Sequence, residues 1–361
     1  MQSPTPTLLT PQPARHPNPL TKAQALAYLI FERPDLDLTE RFLTDFGLKV
    51  AERRPDALFM RSTGEEPFCY VVLKAPKARF VGLGFRVASQ LDLKRLSRLP
   101  DASLIEPSPW PGGGERVRLQ DPSGFVVDAV HGVAAGATSP HRPPLLWNVA
   151  DARLRIDATQ RSPAEPPEVL RLGHVVLEAS AFQATSAWYT QTFGLIPSDI
   201  QVLPDGSPAV AFMRLDLGDQ PADHHTVALA QGVAPLYSHS AFEVVDADAV
   251  GMGQRVLRER GWKHAWGIGR HILGSQVFDY WHDPYGDKHE HYTDGDLFTG
   301  AAPTGVHPTS RAAMSQWGEP MPTSFSAPKL SLPFVLTVLR NVRNTPDLTF
   351  SKLRVLAKIF S

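Results

Sequence analysis

The chain has 361 residues, 36 basic and 37 acidic side chains, a formal net charge of -1 and a single cysteine, Cys69. This length predicts two domains or one large domain, and the near-neutral charge argues against a general nucleic-acid binder, whose domain is normally strongly basic. One cysteine excludes an internal disulfide and a zinc site built from several thiolates, so the 13 histidines are the residues to follow for metal or proton chemistry.

Residues 1–20 contain six prolines and no sustained apolar run. A signal peptide has a basic start followed by an apolar centre, and a membrane span needs about 18 uninterrupted apolar residues. Neither pattern is found here. We therefore predict a disordered extension over residues 1–20 and a cytoplasmic protein, and the lone cysteine fits a reducing compartment.

Residues 21–135 are predicted to form a first module. A strand-like run at 27–31 leads into a helical segment, a second such run covers 82–87, and a turn at 121–124 is followed by Asp128. Strand, helix and several further strands with turn signals between them are typical of an α+β module.

Residues 136–168 contain six prolines, a composition typical of a linker. The signals of the first module then recur in the same order over residues 169–300. They are strand-like runs at 173–177 and 239–244, a turn at 283–286, and Glu290 after it.

The spacing of the last signal is the same in both halves. Asp128 and Glu290 each follow the first Asp of their turn by seven positions. A repeat of this length indicates duplicated domains, since solenoid repeats have periods of about 20 to 50 residues. The coarse order of elements predicts an α+β fold with a mostly antiparallel sheet in each half.

Residues 301–361 form a tail of different character, with seven basic and only two acidic residues. Its last thirty residues carry Phe334, Leu336, Leu339, Val342, Leu353, Leu356 and Phe360 among Arg340, Arg343, Lys352, Arg354 and Lys358. This pattern predicts a basic amphipathic helix, broken near Pro346. We favour a tail packed on its own or a neighbouring subunit over one that contacts an anionic membrane surface.

Three equivalent positions of the repeat differ in a way that indicates chemistry. The first module has Tyr28, Gly82 and Asp128, whereas the second has the set His174, His239 and Glu290. Two histidines and one carboxylate facing a common cavity are the ligand set of non-haem Fe(II) oxygenases, which leaves coordination positions open. The second module is therefore the predicted site of a metal ion.

The segments around these residues resemble a known family. The matching stretches are 172–177, 224–226, 239–244 and 269–290, and they are similar to the catalytic module of type I extradiol ring-cleavage dioxygenases of the dihydroxybiphenyl and catechol 2,3-dioxygenase kind. That family lies in the vicinal oxygen chelate superfamily. The resemblance covers roughly 27–296 and implies two tandem modules of paired βαβββ units, each a curved, mostly antiparallel sheet.

The resemblance also implies roles for individual residues. The metal ligands of the family correspond to His174, His239 and Glu290, which would hold Fe(II), with Mn(II) as an alternative. The catalytic residues correspond to His225 as the acid/base group and to His271 and Tyr280 as substrate contacts. Because the loop before His239 varies in length, His224 could exchange roles with His225.

Several neighbours of these residues leave alternatives open. Asp279 occupies a place where the family usually has an aliphatic or aromatic residue, which puts the local pocket shape in question. Strand alternation turns His289 and His291 away from the face of Glu290, so we do not expect them to be ligands. The aromatic residues Trp266, Phe278 and Trp281 either line a pocket or fill the core.

The predicted function is Fe(II)-dependent extradiol cleavage of a catechol, substituted or bicyclic, by dioxygen in the degradation of aromatic compounds. The alternatives are a hydroxyphenylpyruvate-type dioxygenase, a glyoxalase-like lyase and a non-enzymatic binding protein of the same fold. A lyase site would need a further Glu ligand, which neither Tyr28 nor Gly82 supplies. The predicted partners are the catechol, dioxygen and further copies of the chain, with no nucleic acid.

Overall fold

A computed structural model describes residues 6–8, 12, 14–325, 332–349 and 352–355. Within these residues the chain forms one large sheet in each half, with helices packed against them. The predicted α+β class is confirmed.

The first module contains a sheet of eight strands. The strands are β1 (Ala23–Arg33), β2 (Lys49–Arg53), β3 (Ala57–Arg61), β4 (Tyr70–Lys74), β5 (Arg79–Val87), β6 (Glu106–Pro107), β7 (Glu115–Gln120) and β8 (Val126–His131), and the helices are α1 (Leu36–Asp45) and α2 (Gln90–Leu96). Their order across the sheet is β2-β3-β4-β1-β5-β8-β7-β6. Two βαβββ units therefore meet along the antiparallel pair β1–β5.

The sequence specifies where both helices of this module begin. The Asp35 side chain accepts a hydrogen bond from the Leu38 amide at the start of α1, and Ser89 and Asp92 form a reciprocal capping box at the start of α2. Phe42 on α1 is fully buried against the sheet. Capping and burial of an apolar face together explain why these segments are helical.

The second module repeats this plan and adds an edge strand on each side. Its strands are β9 (Val169–Ala179), β10 (Ile196–Val202), β11 (Pro208–Arg214), β12 (Ala222–Asp223), β13 (Val227–Gln231), β14 (Leu236–Val244), β15 (Lys263–His271), β16 (Val277–His282), β17 (Lys288–Thr293), β18 (Leu297–Phe298), β19 (Gly305–Pro308) and β20 (Ser315–Gly318), and its helices are α3 (Phe182–Phe193) and α4 (Ala247–Glu259). The ten-stranded sheet has the order β19-β10-β11-β13-β9-β14-β17-β16-β15-β20, while β12 and β18 pair separately. The antiparallel pair β9–β14 takes the place of β1–β5.

The tail differs from the helix predicted for residues 301–361. Strand β19 joins the edge of the sheet beside β10, and β20 joins the opposite edge beside β15. Sheet edges present unpaired backbone groups, so a segment of almost any composition can be recruited there, and a helical side-chain pattern does not reveal it. Helical structure follows in α5 (Leu332–Asn344), whereas the predicted tail residues Leu356, Lys358 and Phe360 lie outside the described residues.

Part of the predicted disordered extension also lies against the second module. The Arg15 guanidinium pairs with Asp216 at 2.9 Å, and the Leu20 amide donates to the Gln191 carbonyl at 2.8 Å. A buried carboxylate that offers a partner can order a proline-rich segment with no secondary structure of its own. The domain boundaries predicted at 20, 135, 168 and 300 stay predictions.

The two modules share one continuous apolar core, which includes Phe31 and Phe46 from the first and Phe242 and Trp281 from the second. A buried ion pair also crosses the interface, because Arg33 reaches Asp283 at 2.9 Å. The second sheet is thereby held in a fixed position by the first. Within the described residues, no helix is long and apolar enough to cross a membrane.

Candidate metal centre

Three neighbouring strands bring His174, His239 and Glu290 together in the second module. His174 lies on β9, His239 on β14 and Glu290 on β17, and one ligand atom from each lies within 4.8 Å of the other two. Oε2 of Glu290 is 3.4 Å from Nε2 of His174 and 3.5 Å from Nε2 of His239. His239 and Glu290 follow His174 by 65 and 116 positions in the chain. The three residues come together because β14 pairs with both β9 and β17.

The chemistry of this cluster fits a divalent cation. Both carboxylate oxygens of Glu290 are buried and make no hydrogen bond within the described part of the chain. A buried charge without a hydrogen-bond donor is costly, and coordination of a metal ion removes that cost. Two imidazoles and one carboxylate on one side of a cavity suit an iron or manganese ion with open positions.

The electrostatics of the cluster keep its groups in the form that binds a metal ion. Burial opposes ionisation of Glu290, but the side chains of His174 and His271 outweigh it and hold the pKa of Glu290 below its usual range. Burial lowers the pKa of His239 well below that of a free imidazole. A carboxylate anion and a neutral imidazole are the states in which these side chains act as ligands.

The first module has the same register, but among its described residues no such cluster forms. Gly82 on β5 pairs with Ile30 and Val126, as His239 pairs with Val176 and Lys288, so Gly82 and His239 are equivalent. Asp128, the counterpart of Glu290, accepts a hydrogen bond from the Tyr28 hydroxyl at 3.1 Å and is paired with Arg118 at 2.8 Å. Its charge is already neutralised by the protein, so it has no need of a metal ion.

His271 and Tyr280 lie next to the cluster. Nε2 of His271 is 2.9 Å from the Tyr280 hydroxyl and 3.6 Å from Oε1 of Glu290, and Nδ1 of His271 donates to the Met314 carbonyl at 2.8 Å. With Nδ1 protonated, a neutral His271 presents a lone pair at Nε2. Burial and the nearby Glu290 raise the pKa of Tyr280 well above its ordinary value, so its hydroxyl keeps its proton.

The structure distinguishes the two adjacent histidines. The ring of His225 packs on His174 with centroids 4.0 Å apart, and burial and His174 lower the pKa of His225 well below its usual value. His224 lies behind His225, with the two Nδ1 atoms 3.0 Å apart, and its Nε2 bonds to Asp199 at 2.7 Å. His225 is therefore the histidine that faces the cluster.

Asp279 does not enter the pocket. On β16 it alternates with Tyr280, and its carboxylate faces the other side of the sheet, where it accepts hydrogen bonds from His264 and Trp281. The residue at this position therefore does not line the metal centre.

The wall beside Tyr280 is apolar and is completed by the tail. Trp266 and Phe278 pack around Tyr280 together with Met321 and Phe325, whereas Trp281 belongs to the main core on the opposite face. The Phe325 ring is 5.0 Å from the ring of Tyr280, and its backbone carbonyl accepts a hydrogen bond from Lys288 at 3.0 Å. No sequence pattern indicates Met321 and Phe325 as neighbours of Tyr280, because they precede the amphipathic segment and reach Tyr280 only through tertiary packing.

Comparison with known proteins finds relatives of this chain in sequence and in fold. Residues 171–290 match the sequence model of the Glyoxalase/Bleomycin resistance protein/Dioxygenase superfamily. The chain is 29% identical over 312 residues to Metapyrocatechase 2 of Cupriavidus necator, a match that covers 85% of this chain and 92% of the relative.

Solved structures share the fold across both modules. The Mn(II)-bound glyoxalase from Novosphingobium aromaticivorans aligns with a TM-score of 0.72 and 21% identity over 86% of this chain and 97% of that one. Homoprotocatechuate 2,3-dioxygenase from Brevibacterium fuscum, solved as an anaerobic complex with 3,4-dihydroxyphenylacetate, aligns with a TM-score of 0.69 and 20% identity over 87% and 94% of the two chains. The arrangement of paired βαβββ modules predicted from the sequence is thus confirmed.

Proposed function

We propose that this chain is an extradiol dioxygenase of the vicinal oxygen chelate superfamily, that it holds one Fe(II) ion, and that it cleaves a catechol ring next to its two hydroxyl groups. The observation that carries the proposal is the buried cluster of His174, His239 and Glu290, in which the carboxylate oxygens have no donor within the described residues. The relatives support it, since a metapyrocatechase and a homoprotocatechuate 2,3-dioxygenase are among them.

The proposed ligands are His174, His239 and Glu290. A bound Fe(II) ion would supply a place where the catechol oxygens and dioxygen meet, and would carry electrons between them. Mn(II) accepts the same set of nitrogen and oxygen ligands, so the residues present fit both ions.

The other polar residues of the site have roles in handling protons and orienting the ring. A catechol must lose a proton to chelate a metal through both oxygens. The Tyr280 hydroxyl donates to the Nε2 lone pair of His271, and this pair is suited to take up that proton and to hold a substrate oxygen. His225, on the side of His174, is suited to donate a proton or hydrogen bond where negative charge develops on oxygen.

The side chains around Tyr280 indicate which kind of substituent the catechol ring has. Trp266, Phe278, Met321 and Phe325 pack around Tyr280 and make its surroundings aromatic and apolar. Such surface stabilises an aromatic or aliphatic group better than a charged one. We therefore propose a catechol with an apolar or fused-ring substituent, cleaved to a ring-opened semialdehyde or dienoate.

Reconstitution under anaerobic conditions tests the proposal. The full chain is loaded with Fe(II), freed of excess metal and mixed with a panel of plain, alkyl-substituted, aryl-substituted and carboxylated catechols before oxygen is admitted. We expect oxygen uptake and the yellow colour of a ring-fission product, fastest with the apolar substituents. No uptake with any catechol would overturn the proposal.

The same experiment separates the alternatives. A binding protein of this fold would retain catechol without consuming oxygen. A glyoxalase-like lyase, of the fold shared with the Novosphingobium protein, would consume no oxygen with any of the catechols. A parallel sample loaded with Mn(II) shows which ion supports turnover.

A further inference from the structure

We propose that Asp199 and His224 are positioning residues that fix the tautomer of His225, so that its Nε2 atom is the one free to exchange a proton with substrate. The inference rests on the proposed function, because His225 has its acid/base role only there. The hydrogen bonds that carry it are independent of that role.

Asp199 on β10 forms the outer end of the chain of contacts. Its Oδ2 atom is 2.7 Å from Nε2 of His224, and its Oδ1 atom is 2.8 Å from Nε2 of His307 on β19. Burial opposes ionisation of Asp199, but the hydrogen bonds of His224 and His307 outweigh it and keep its pKa below the ordinary value. An ionised carboxylate only accepts hydrogen bonds, so Nε2 of His224 must carry a proton.

The next bond follows from that assignment. A neutral His224 with its proton on Nε2 has a lone pair on Nδ1. Nδ1 of His225 is 3.0 Å away, so with His224 neutral the proton in this bond belongs to Nδ1 of His225. A neutral His225 then carries its proton on Nδ1 and its lone pair on Nε2. This is opposite to the form that a neutral imidazole prefers when free in water.

The surroundings favour a positioning role over a surface contact. His224 is 1% exposed and packs between Phe212 and Phe298, whereas His307 is 40% exposed at the side chain. The bonds therefore run from the protein surface to the edge of the metal centre. His307 is held there because β19 pairs with β10.

Nitrogen-15 NMR of the full chain, labelled at its histidines and without added metal, reads the tautomers directly. The ring peaks of each histidine are assigned by through-bond correlation to its own backbone amide, and His224→Gln and His225→Gln check that assignment. We expect His224 protonated on Nε2 and His225 protonated on Nδ1. A native His225 that carries its proton on Nε2 would overturn the inference, even if every variant failed to fold.

Replacement of the carboxylate provides the second arm. Asp199→Asn removes the charge that requires a donor on His224, so we expect His225 to shift to the opposite tautomer or a mixture. The matched control is Asp205→Asn, which changes an exposed aspartate in the turn after β10. An unchanged His225 signal in folded Asp199→Asn protein would contradict the proposal.

Steady-state kinetics with the best catechol extend the test. For Asp199→Asn we expect kcat to fall about tenfold to a hundredfold with KM within about twofold, because Asp199 acts through His225. Asp205→Asn should match the native chain, and a kcat of Asp199→Asn equal to it would refute the positioning role. If the native chain cleaves no catechol, the proposed function fails, but the NMR measurement still decides the tautomer.

Discussion

The Tyr70 hydroxyl lies 3.0 Å from Nε2 of His289, and this contact joins β4 of the first module to β17 of the second one residue before Glu290. Strand alternation sends Glu290 into the metal centre and His289 into the module interface. Both partners in the contact are fully buried. Strand β17, which carries Glu290, is thus held in position by a hydrogen bond with Tyr70 of the first module.

Tyr70→Phe should lower the free energy of unfolding by about 1 to 3 kcal/mol, because the buried ring nitrogen of His289 loses its partner. Chemical denaturation measures the change. The control is Tyr285→Phe, which removes an exposed hydroxyl that also crosses between the modules, and there we expect a change within about 0.5 kcal/mol. Equal losses in the two variants would contradict the importance of burial.

Glu290→Gln keeps the shape of the side chain and removes its charge. We expect metal affinity to fall by more than about a hundredfold, since even loss of a group that only supports a ligand costs ten- to a hundredfold. Metal content after gel filtration, measured by elemental analysis, tests this prediction, and full metal content in Glu290→Gln would refute the ligand assignment.

Tyr280→Phe should keep the metal and lower kcat by about tenfold to a hundredfold, the value of one hydrogen bond to a charged oxygen.

Phe325→Ala should open the apolar wall contributed by the tail. We expect KM for an aryl-substituted catechol to rise about tenfold, since about 1.4 kcal/mol of apolar contact is lost, while KM for plain catechol changes less. Leu336→Ala on the exposed face of α5 is the control. If both substrates respond equally to Phe325→Ala, the wall does not contact the substituent.

The pH dependence of stability should show the buried Asp121. Burial raises its pKa to about 6, against the effect of its hydrogen bonds to Phe125 and Tyr189. In the unfolded chain the pKa of an aspartate is about 3.9. Between these two pKa values the folded chain therefore binds more protons than the unfolded chain. The stability contributed by Asp121 is therefore lost as pH rises from about 4 to 6, by up to about 3 kcal/mol.

Asp121→Asn cannot titrate, so its stability relative to the native chain should improve over that interval. Denaturation of both proteins at several pH values measures the difference between them. A difference that stays constant with pH would show that Asp121 has an ordinary pKa.

The helix α5 carries an exposed apolar stripe, formed by Leu332, Val335, Leu336 and Leu339. We expect this stripe to contact another copy of the chain, in agreement with the predicted homo-oligomer. Leu336→Glu with Leu339→Glu should reduce the mass measured by light scattering. An unchanged mass together with loss of co-sedimentation with anionic vesicles would favour the membrane interpretation instead.

The metal cluster could be predicted because each of its residues lies in a recognisable local sequence pattern, and because that pattern occurs in both modules. Each residue of the triad lies in a strand-like run, and the register of the twin module identifies His174, His239 and Glu290 by their difference from Tyr28, Gly82 and Asp128. Strand pairing then brings equivalent positions together in both modules.

The remaining parts of the site depend on contacts that no local pattern encodes. Met321 and Phe325 reach the pocket because β20 pairs with a sheet edge through its backbone, which any sequence can do. The choice between His224 and His225 rests on side-chain direction in a loop, and the partner of His224, Asp199, lies 25 residues away on another strand.

The close approach at Gly82 makes the divergence of the two modules difficult to reverse. A Cβ atom at Gly82 would overlap the carbonyl oxygen of Val126, and one at Gly84 would overlap the ring of Tyr28. The backbone of the first module has therefore closed over the position at which its twin carries His239. Placing a histidine there requires the sheet to move, so point mutation alone is a poor route to a second metal ion in this chain.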